Sequence, residues 1–389
     1  GKTSGLLTQY IEKVFRETEH HILILSFTNR AVDEICLNLK KHSIPFIRTG
    51  QSETIKQELL EHLIAEQDFD EIEKIIKSNR IWVATVQSCN AWLNDMLNIV
   101  KIDELVIDEA SQIIENNILG IITKVGKTIL IGDQNQLPPI TLQTKETFKF
   151  QNQQLKSLCY DYYNKSMMER LFQVCETRGW NHSITMLNEH YRMHNQIASL
   201  VQEYYANALI PKLSLQLQDL VPQGNILVDS RLVWIEFPVS EHLYYDSLQV
   251  QYIIQILKVF KQYGIVQNYD KDVGIVTPFR AMIQAIYKEL PTDLKAITID
   301  TVERFQGSER KNIIISLPLH HANDLSLTEA LSSDGKVDRK LNVAITRAQE
   351  RLIILGCSKL CQKSRHYNNL LHKIQSSGTM LNYQELFKL

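Results

Sequence analysis

The 389 residues are 44% hydrophobic and 22% charged, the balance of a globular protein long enough for two packed cores. A formal net charge of −2 rules out a polycationic surface, so any nucleic-acid contact has to come from a local groove. No apolar run is long enough to cross a bilayer and the first residues do not read as a leader, so a cytoplasmic protein with no membrane partner is expected.

The chain opens on Gly1-Lys2-Thr3, the tail of a G-x-x-x-x-G-K-[ST] phosphate loop, ahead of an amphipathic helix. In such a loop the lysine reaches the β- and γ-phosphates and the hydroxyl binds Mg²⁺. The sequence therefore reads as starting inside a motif. An apolar strand and a glycine-rich turn are expected before Gly1, and residues 1–389 alone are expected to bind ATP poorly. A second GKT, Gly126-Lys127-Thr128, is a decoy. Ile121 stands where the loop needs its first glycine, and the triplet precedes a strand instead of following one.

Short β-rich apolar runs then alternate with longer amphipathic stretches, the pattern of parallel sheets flanked by helices. Expected strands are Ile22–Phe27, Ile81–Thr85, Glu104–Ile107, Thr128–Ile131, Ser183–Met186, Leu232–Phe237, Val273–Thr277, Ile297–Ile299, Lys311–Ser316 and Leu352–Leu355. Expected helices are Arg30–Lys40, Asn195–Tyr205, Leu248–Tyr263, Ala281–Leu290 and Ser358–Gln375. Residues 54–78 read either as a helical insertion or as a plain crossover. The polar stretch Thr141–Tyr163 reads as a surface excursion or mobile loop. The lobe boundary is expected near residue 186, giving lobes 1–185 and 186–389.

Two strand-terminal motifs carry chemistry. Leu105-Val106-Ile107-Asp108-Glu109-Ala110-Ser111 is an apolar strand ending in adjacent acids, suited to give one carboxylate to Mg²⁺ and the other to an attacking water. A plain helix cap is the competing reading. Gly132-Asp133-Gln134-Asn135-Gln136-Leu137-Pro138-Pro139 follows the next strand, where a tight turn and a rigid Pro-Pro bracket the Gln136 amide. The scattered Cys36, Cys89, Cys159, Cys175, Cys357 and Cys361 lack paired zinc spacing, and even Cys357 and Cys361 with His366 make a poor metal site. His190 and His194 have the spacing of a zinc pair but no third ligand.

The ordered series continues with Thr28-Asn29-Arg30-Ala31-Val32-Asp33, Thr85-Val86-Gln87-Ser88, Glu189-His190-Tyr191-Arg192-Met193-His194 and Thr277-Pro278-Phe279-Arg280. It ends with Thr301-Val302-Glu303-Arg304-Phe305-Gln306-Gly307-Ser308-Glu309 and Leu341-Asn342-Val343-Ala344-Ile345-Thr346-Arg347-Ala348. In order and spacing this set resembles the superfamily 1 helicases. It looks most like the branch that includes the nonsense-mediated-decay RNA helicase and the replication helicase–nuclease. The resemblance implies an α/β chain of two RecA-like lobes, with ATP and Mg²⁺ as cofactors and single-stranded DNA or RNA as partner. It implies a helicase or translocase that hydrolyses ATP at the inter-lobe cleft and moves 5′→3′.

By the same resemblance, Thr3 and Asp108 would hold Mg²⁺, and Gly1, Lys2, Thr3, Tyr191 and Glu309 would bind nucleotide. Glu109 would activate water, Gln136 would sense the γ-phosphate, and Arg192 and Arg347 would serve as arginine fingers. Thr28, Asn29, Thr85, Ser88, Thr277, Phe279, Arg280 and Thr301 would line the nucleic-acid path, although hydroxyls and amides at strand ends also cap helices. A clamp that grips without unwinding and an inactive binding module are the alternatives.

Overall fold

The computed structural model describes residues 2–140, 151–160 and 165–386; the side chains of residues 2–4 are also left out. The chain divides into two compact units. Unit 1 is Gly1–Gln134 with Pro138–Leu187, and unit 2 is Asn135–Leu137 with Asn188–Leu389.

Unit 1 is built on a five-stranded sheet of β1 (Ile22–Ser26), β2 (Ile47–Arg48), β3 (Ile81–Thr85), β4 (Glu104–Ile107) and β5 (Lys127–Leu130), in the order β2-β3-β1-β4-β5. Every ladder is parallel. Parallel strands are covered on both faces, which is why they read as unbroken apolar runs. Alternation survives inside those runs. Leu23, Leu25, Trp82, Ala84, Leu105 and Ile107 feed one core, shared with Cys89, Leu93 and Met96 of helix Val86–Leu97. Ile22, Ile24, Ile81, Val83 and Val106 feed the other, shared with Ile11 of helix Thr8–Glu17 and with Val32, Ile35 and Leu39 of helix Asn29–Lys41. The segment between β2 and β3 carries helices Leu60–Leu63 and Phe69–Ser78 and runs as a crossover between two paired parallel strands. The decoy Lys127-Thr128 lies in β5, an edge strand with a half-exposed face.

Unit 2 carries two short paired strands, β6 (Glu189–His190) and β7 (Ile210–Pro211). Its main sheet comprises β8 (Leu232–Glu236), β9 (Val273–Val276), β10 (Thr298–Asp300), β11 (Arg310–Ser316), β12 (Ala348–Gly356) and β13 (Thr379–Asn382). The order is β10-β9-β11-β12-β8-β13, and again every ladder is parallel. Leu232, Trp234, Leu352 and Ile354 face one core, whereas Val233, Ile235, Ile353 and Leu355 face the other. The fold is thus α/β, with parallel sheets sandwiched by helices. No helix among the described residues is long and apolar enough to cross a membrane.

Several expected elements differ. Ser183–Met186 is no strand: Asn181–Ser183 forms a 3₁₀ turn, and Met186 and Leu187 are exposed, with no neighbouring ladder among the described residues to complete. The expected helix Asn195–Tyr205 breaks after Ser199 and resumes as a 3₁₀ turn at Gln202–Tyr205. Ser358–Gln375 is two helices, Ser358–Cys361 and Arg365–Ser377, with the Ser364 hydroxyl capping the second. The two-residue β2 and the edge strand β13 were not expected at all. Of Thr141–Tyr163, residues 141–150 and 161–163 lie outside the described residues.

Candidate functional site

In open parallel sheets, ligands meet the loops beyond the carboxyl ends of the strands. In unit 1 that edge gathers four expected motifs: Thr28 and Asn29 after β1, Thr85 and Ser88 after β3, Asp108 and Glu109 after β4, and the Gly132 loop after β5.

Asp108 is 1% exposed, and its Oδ1 accepts the Glu109 N–H at 3.0 Å. Glu109 itself has φ +53°, a left-handed backbone that a glutamate seldom adopts and that clusters at functional sites. Its Oε2 accepts from Gln112 Nε2 at 2.9 Å. The Gly132 loop rests directly on this corner. Ala110 N donates to Ile131 O at 2.9 Å, and a Cβ on Gly132 would come within 3.0 Å of Ser111 N, so glycine is needed for the close approach. Gln136 sits in the turn beyond, half-buried, and Asn135–Leu137 belongs to unit 2, where Asn342 Nδ2 donates to Asn135 O at 2.7 Å. A buried carboxylate at the end of a central strand fits a hard divalent cation. Gly1 lies outside the described residues, as do the side chains of Lys2 and Thr3.

The expected strand-contact hydroxyls are engaged locally. Thr28 Oγ1 accepts from Ala31 N at 3.2 Å and Thr85 Oγ1 from Ser88 N at 3.1 Å, each capping the helix that follows. Sequence reasoning missed Arg48, fully buried at the end of β2. Its guanidinium donates to Asn29 Oδ1 at 3.0 Å and Gln51 O at 2.9 Å, pairs with Asp33 at 3.3 Å and also reaches Thr49 O. It ties Asn29 to the turn at Gly50, where φ is +85° and an added Cβ would meet Ser88 at 3.1 Å. The available signal was a lone arginine closing an apolar run just before a glycine.

In unit 2, Arg192 and Glu309 form an ion pair, and Arg192 Nη1 also donates to Thr346 O at 3.3 Å. Gln349 Nε2 donates to the other Glu309 oxygen at 2.8 Å. Arg347 is only 2% exposed. It donates to Val343 O at 3.1 Å, Ser308 O at 3.2 Å and the Thr346 hydroxyl at 3.2 Å. Thr346 therefore bridges the two arginines, its carbonyl on one and its hydroxyl on the other. Tyr191 is 48% exposed, an open ring beside Arg192.

Gln216 was also missed. Its Oε1 accepts from Lys212 N and Leu213 N at 3.0 and 2.7 Å, which fixes the amide and leaves Nε2 to donate to Met193 O at 2.9 Å and His190 Nδ1 at 3.0 Å. His190 therefore carries its proton on Nε2. Burial and the Arg192 charge hold the His190 pKa below the usual histidine value. Burial, with Arg231 nearby, does the same for His194, whose ring accepts from Gln196 N and meets Gln218 O at 3.1 Å. These imidazoles fasten the segment that carries Tyr191 and Arg192.

At the carboxyl ends of β9 and β10 sit Thr277, Phe279, Arg280 and Thr301. Thr277 N donates to Asp300 O at 3.2 Å, and its buried hydroxyl has no partner among the described residues. Arg280 is exposed. Phe279 is 7% exposed, its ring covered by Tyr244, so it presents no open face for stacking.

A family model described as "AAA domain" matches residues 163–359, just over half the chain, and a second of the same description matches residues 55–144. The chain is 27% identical to the DNA replication ATP-dependent helicase/nuclease of Gallus gallus over 398 residues, covering 98% of this chain and 36% of that protein. It is 27% identical to an uncharacterized ATP-dependent helicase of Methanocaldococcus jannaschii, covering 78% and 43%. Against the probable helicase senataxin of Homo sapiens it is 27% identical, covering 71% and 10%. The chain thus spans less than half the length of these relatives.

Proposed function

This chain belongs to the AAA-domain family of superfamily 1 helicases, and on that premise we propose that it is an ATP-driven motor acting on single-stranded nucleic acid with 5′→3′ polarity. Residues 1–185 and 186–389 are its two RecA-like lobes. The observation that carries the reading is Asp108-Glu109, a buried acid and a left-handed neighbour at the end of the interior strand β4. Glu109 takes the proton of the attacking water, with its carboxylate oriented by Gln112. Arg192 and Arg347 supply positive charge where the transferring phosphoryl group gathers negative charge, and Gln136 reads the γ-phosphate. Tyr191 offers an open ring to the adenine. Asp108, with Thr3, would hold Mg²⁺, whose chemistry is to neutralise phosphate oxygens. Lys2 would contact the same phosphates. The six free thiols suit a reducing, cytosolic setting.

The Gallus gallus relative is named for DNA replication, so single-stranded DNA is the first substrate to try and RNA the second. The test is ATP turnover by the full-length protein with and without each strand, followed by displacement from a duplex with a 5′ or a 3′ tail. Stimulated turnover with displacement from the 5′-tailed duplex supports the motor. Stimulated turnover without displacement favours a clamp, and no turnover at all rejects the enzyme.

A further inference from the structure

The strand face of unit 2 lacks an aromatic where one was expected. Phe279 follows β9 and precedes helix Arg280–Glu289, yet its ring is buried. What covers it is Tyr244, with ring centroids 4.8 Å apart and planes tilted by 48°. Tyr244 is 38% exposed, so one ring is packed underneath while another is open to solvent. Single-strand binders combine such open aromatic faces with nearby cations, because every base has a π-face and every nucleotide a phosphate.

The turn that carries Tyr244 is stiff. His242 and Tyr245 bridge across it, and their rings stack at 5.2 Å. The single Ser240 hydroxyl proton is shared between His242 O, at 3.0 Å, and Tyr245 O, at 2.9 Å, and Ser240 N donates to Leu319 O at 3.0 Å. Asp246 then caps helix Ser247–Gln262. At the second central position of the turn, Tyr244 has φ +68° while Leu243 stays outside the left-handed region. That is the place glycine or asparagine ordinarily takes. A bulky ring kept there by rigid surroundings points to a use for the ring. Two exposed cations follow the same strand ends: Arg280 beside Phe279, and Arg304 on the short helix Val302–Phe305 after β10, loosely paired with Asp300 at 3.5 Å.

We infer that Tyr244, seated on Phe279, stacks against a base of the bound single strand. This rests on the proposed reading of the chain as a nucleic-acid motor. Phe279 then acts as a positioning residue beneath Tyr244, and Arg280 and Arg304 track phosphates.

The test uses the full-length protein and a fluorescent oligothymidine, with binding read by anisotropy. Tyr244→Ala is expected to weaken binding about 5- to 150-fold, the usual range for one lost base stack. Tyr244→Phe should bind like the parent. The loss should vanish on an oligonucleotide made abasic throughout, which has phosphates but nothing to stack. In Tyr244→Trp the new indole emission should be quenched by the strand. Equal affinity of Tyr244→Ala and parent, a loss that persists on the abasic strand, or a Tyr244→Trp protein that binds without quenching each overturns the assignment. A parent protein that binds no strand overturns the motor reading instead.

Discussion

Arg192 and Glu309 stand 117 residues apart in sequence and close an ion pair in unit 2, with the Thr346 carbonyl as a further acceptor for Arg192. The resemblance gave the arginine to the phosphate and the glutamate either to the nucleotide's ribose or to ordering that edge of the site. The pairing gives Glu309 another task, which is to hold Arg192 in one rotamer family.

That task can be separated from stability. The pair's side chains are 33% and 45% exposed, so solvent screens it and its contribution to folding should be below about 1 kcal/mol. Glu309→Gln is therefore expected to leave the unfolding midpoint nearly unchanged and to lower ATP turnover modestly. Arg192→Ala should lower turnover by about 10³-fold or more if the guanidinium meets the transferring phosphoryl group. Steady-state ATPase and urea unfolding on both variants check this. Unchanged turnover in Arg192→Ala would reduce the pair to a surface contact.

Glu109→Gln removes the base but not the shape. The amide oxygen still accepts from Gln112, and the left-handed backbone at φ +53° is no worse for glutamine than for glutamate. ATP binding should survive while hydrolysis slows by about 10²- to 10⁴-fold. Single-turnover hydrolysis beside equilibrium nucleotide binding separates the two effects. Wild-type turnover would show that another group takes the proton.

These residues show what a sequence can reveal. The placement of Asp108 and Glu109 at the end of β4 was legible because an apolar strand and its terminal acids are adjacent in the chain, and the parallel sheet followed from runs apolar at every position. Arg48, Gln216 and Tyr244 were not legible. Each acts through a partner distant in sequence: Asn29, His190 and Phe279, respectively. The burial of Phe279 was hidden for the same reason, since it depends on a turn far upstream. Ser183–Met186 has strand composition but no neighbouring strand among the described residues, and pairing is not a property of one segment. Arg347 stood out as a motif residue, but its burial against Ser308 and Val343 depends on tertiary packing.

Asp338 gives a pH signature. It caps helix Arg339–Thr346, with Oδ1 accepting from Ala330 N at 3.0 Å, Lys340 N at 3.1 Å and Leu341 N at 3.3 Å. Burial pushes its carboxyl up to about 6, against the pull of these N–H groups; Glu329 adds to the rise and His366 opposes it. A carboxyl whose folded pKa lies above its unfolded one favours the folded state when protonated. That contribution is whole below about pH 4 and lost as pH rises through 6. Asp338→Asn keeps the cap and cannot ionise. Its stability relative to the parent should rise by roughly 2–3 kcal/mol between pH 4 and 7, from about 1.36 kcal/mol per pKa unit. Urea unfolding at both pH values measures the difference, and a flat or falling one would refute the burial argument.

Gln216 offers a sharper pH test, because its two amide atoms do different things. Oε1 shapes the turn through Lys212 N and Leu213 N, while Nε2 reaches back to Met193 O and His190 Nδ1, on either side of Arg192. Gln216→Glu preserves the first pair of bonds and removes the second. The introduced carboxylate would also raise the His190 pKa, against the Arg192 charge that now lowers it; the Glu189–Lys212 pair at 2.7 Å is the other charged pair nearby. A histidine whose folded pKa is raised adds stability below its unfolded value near 6.5, and that stability is lost as pH rises through the raised value. At pH 6 a doubly protonated His190 can donate from Nδ1 to the new carboxylate, restoring one bridge. At pH 8.5 the bridge fails, and buried acceptors are left facing each other at a cost of about 1–3 kcal/mol. The variant should therefore be close to the parent in stability and turnover at pH 6 and well below it at pH 8.5. Gln216→Leu, with no group to titrate, should be impaired about equally at both. A Gln216→Glu defect that does not change with pH would mean that Gln216 shapes its own turn and has no hold on the segment bearing Arg192.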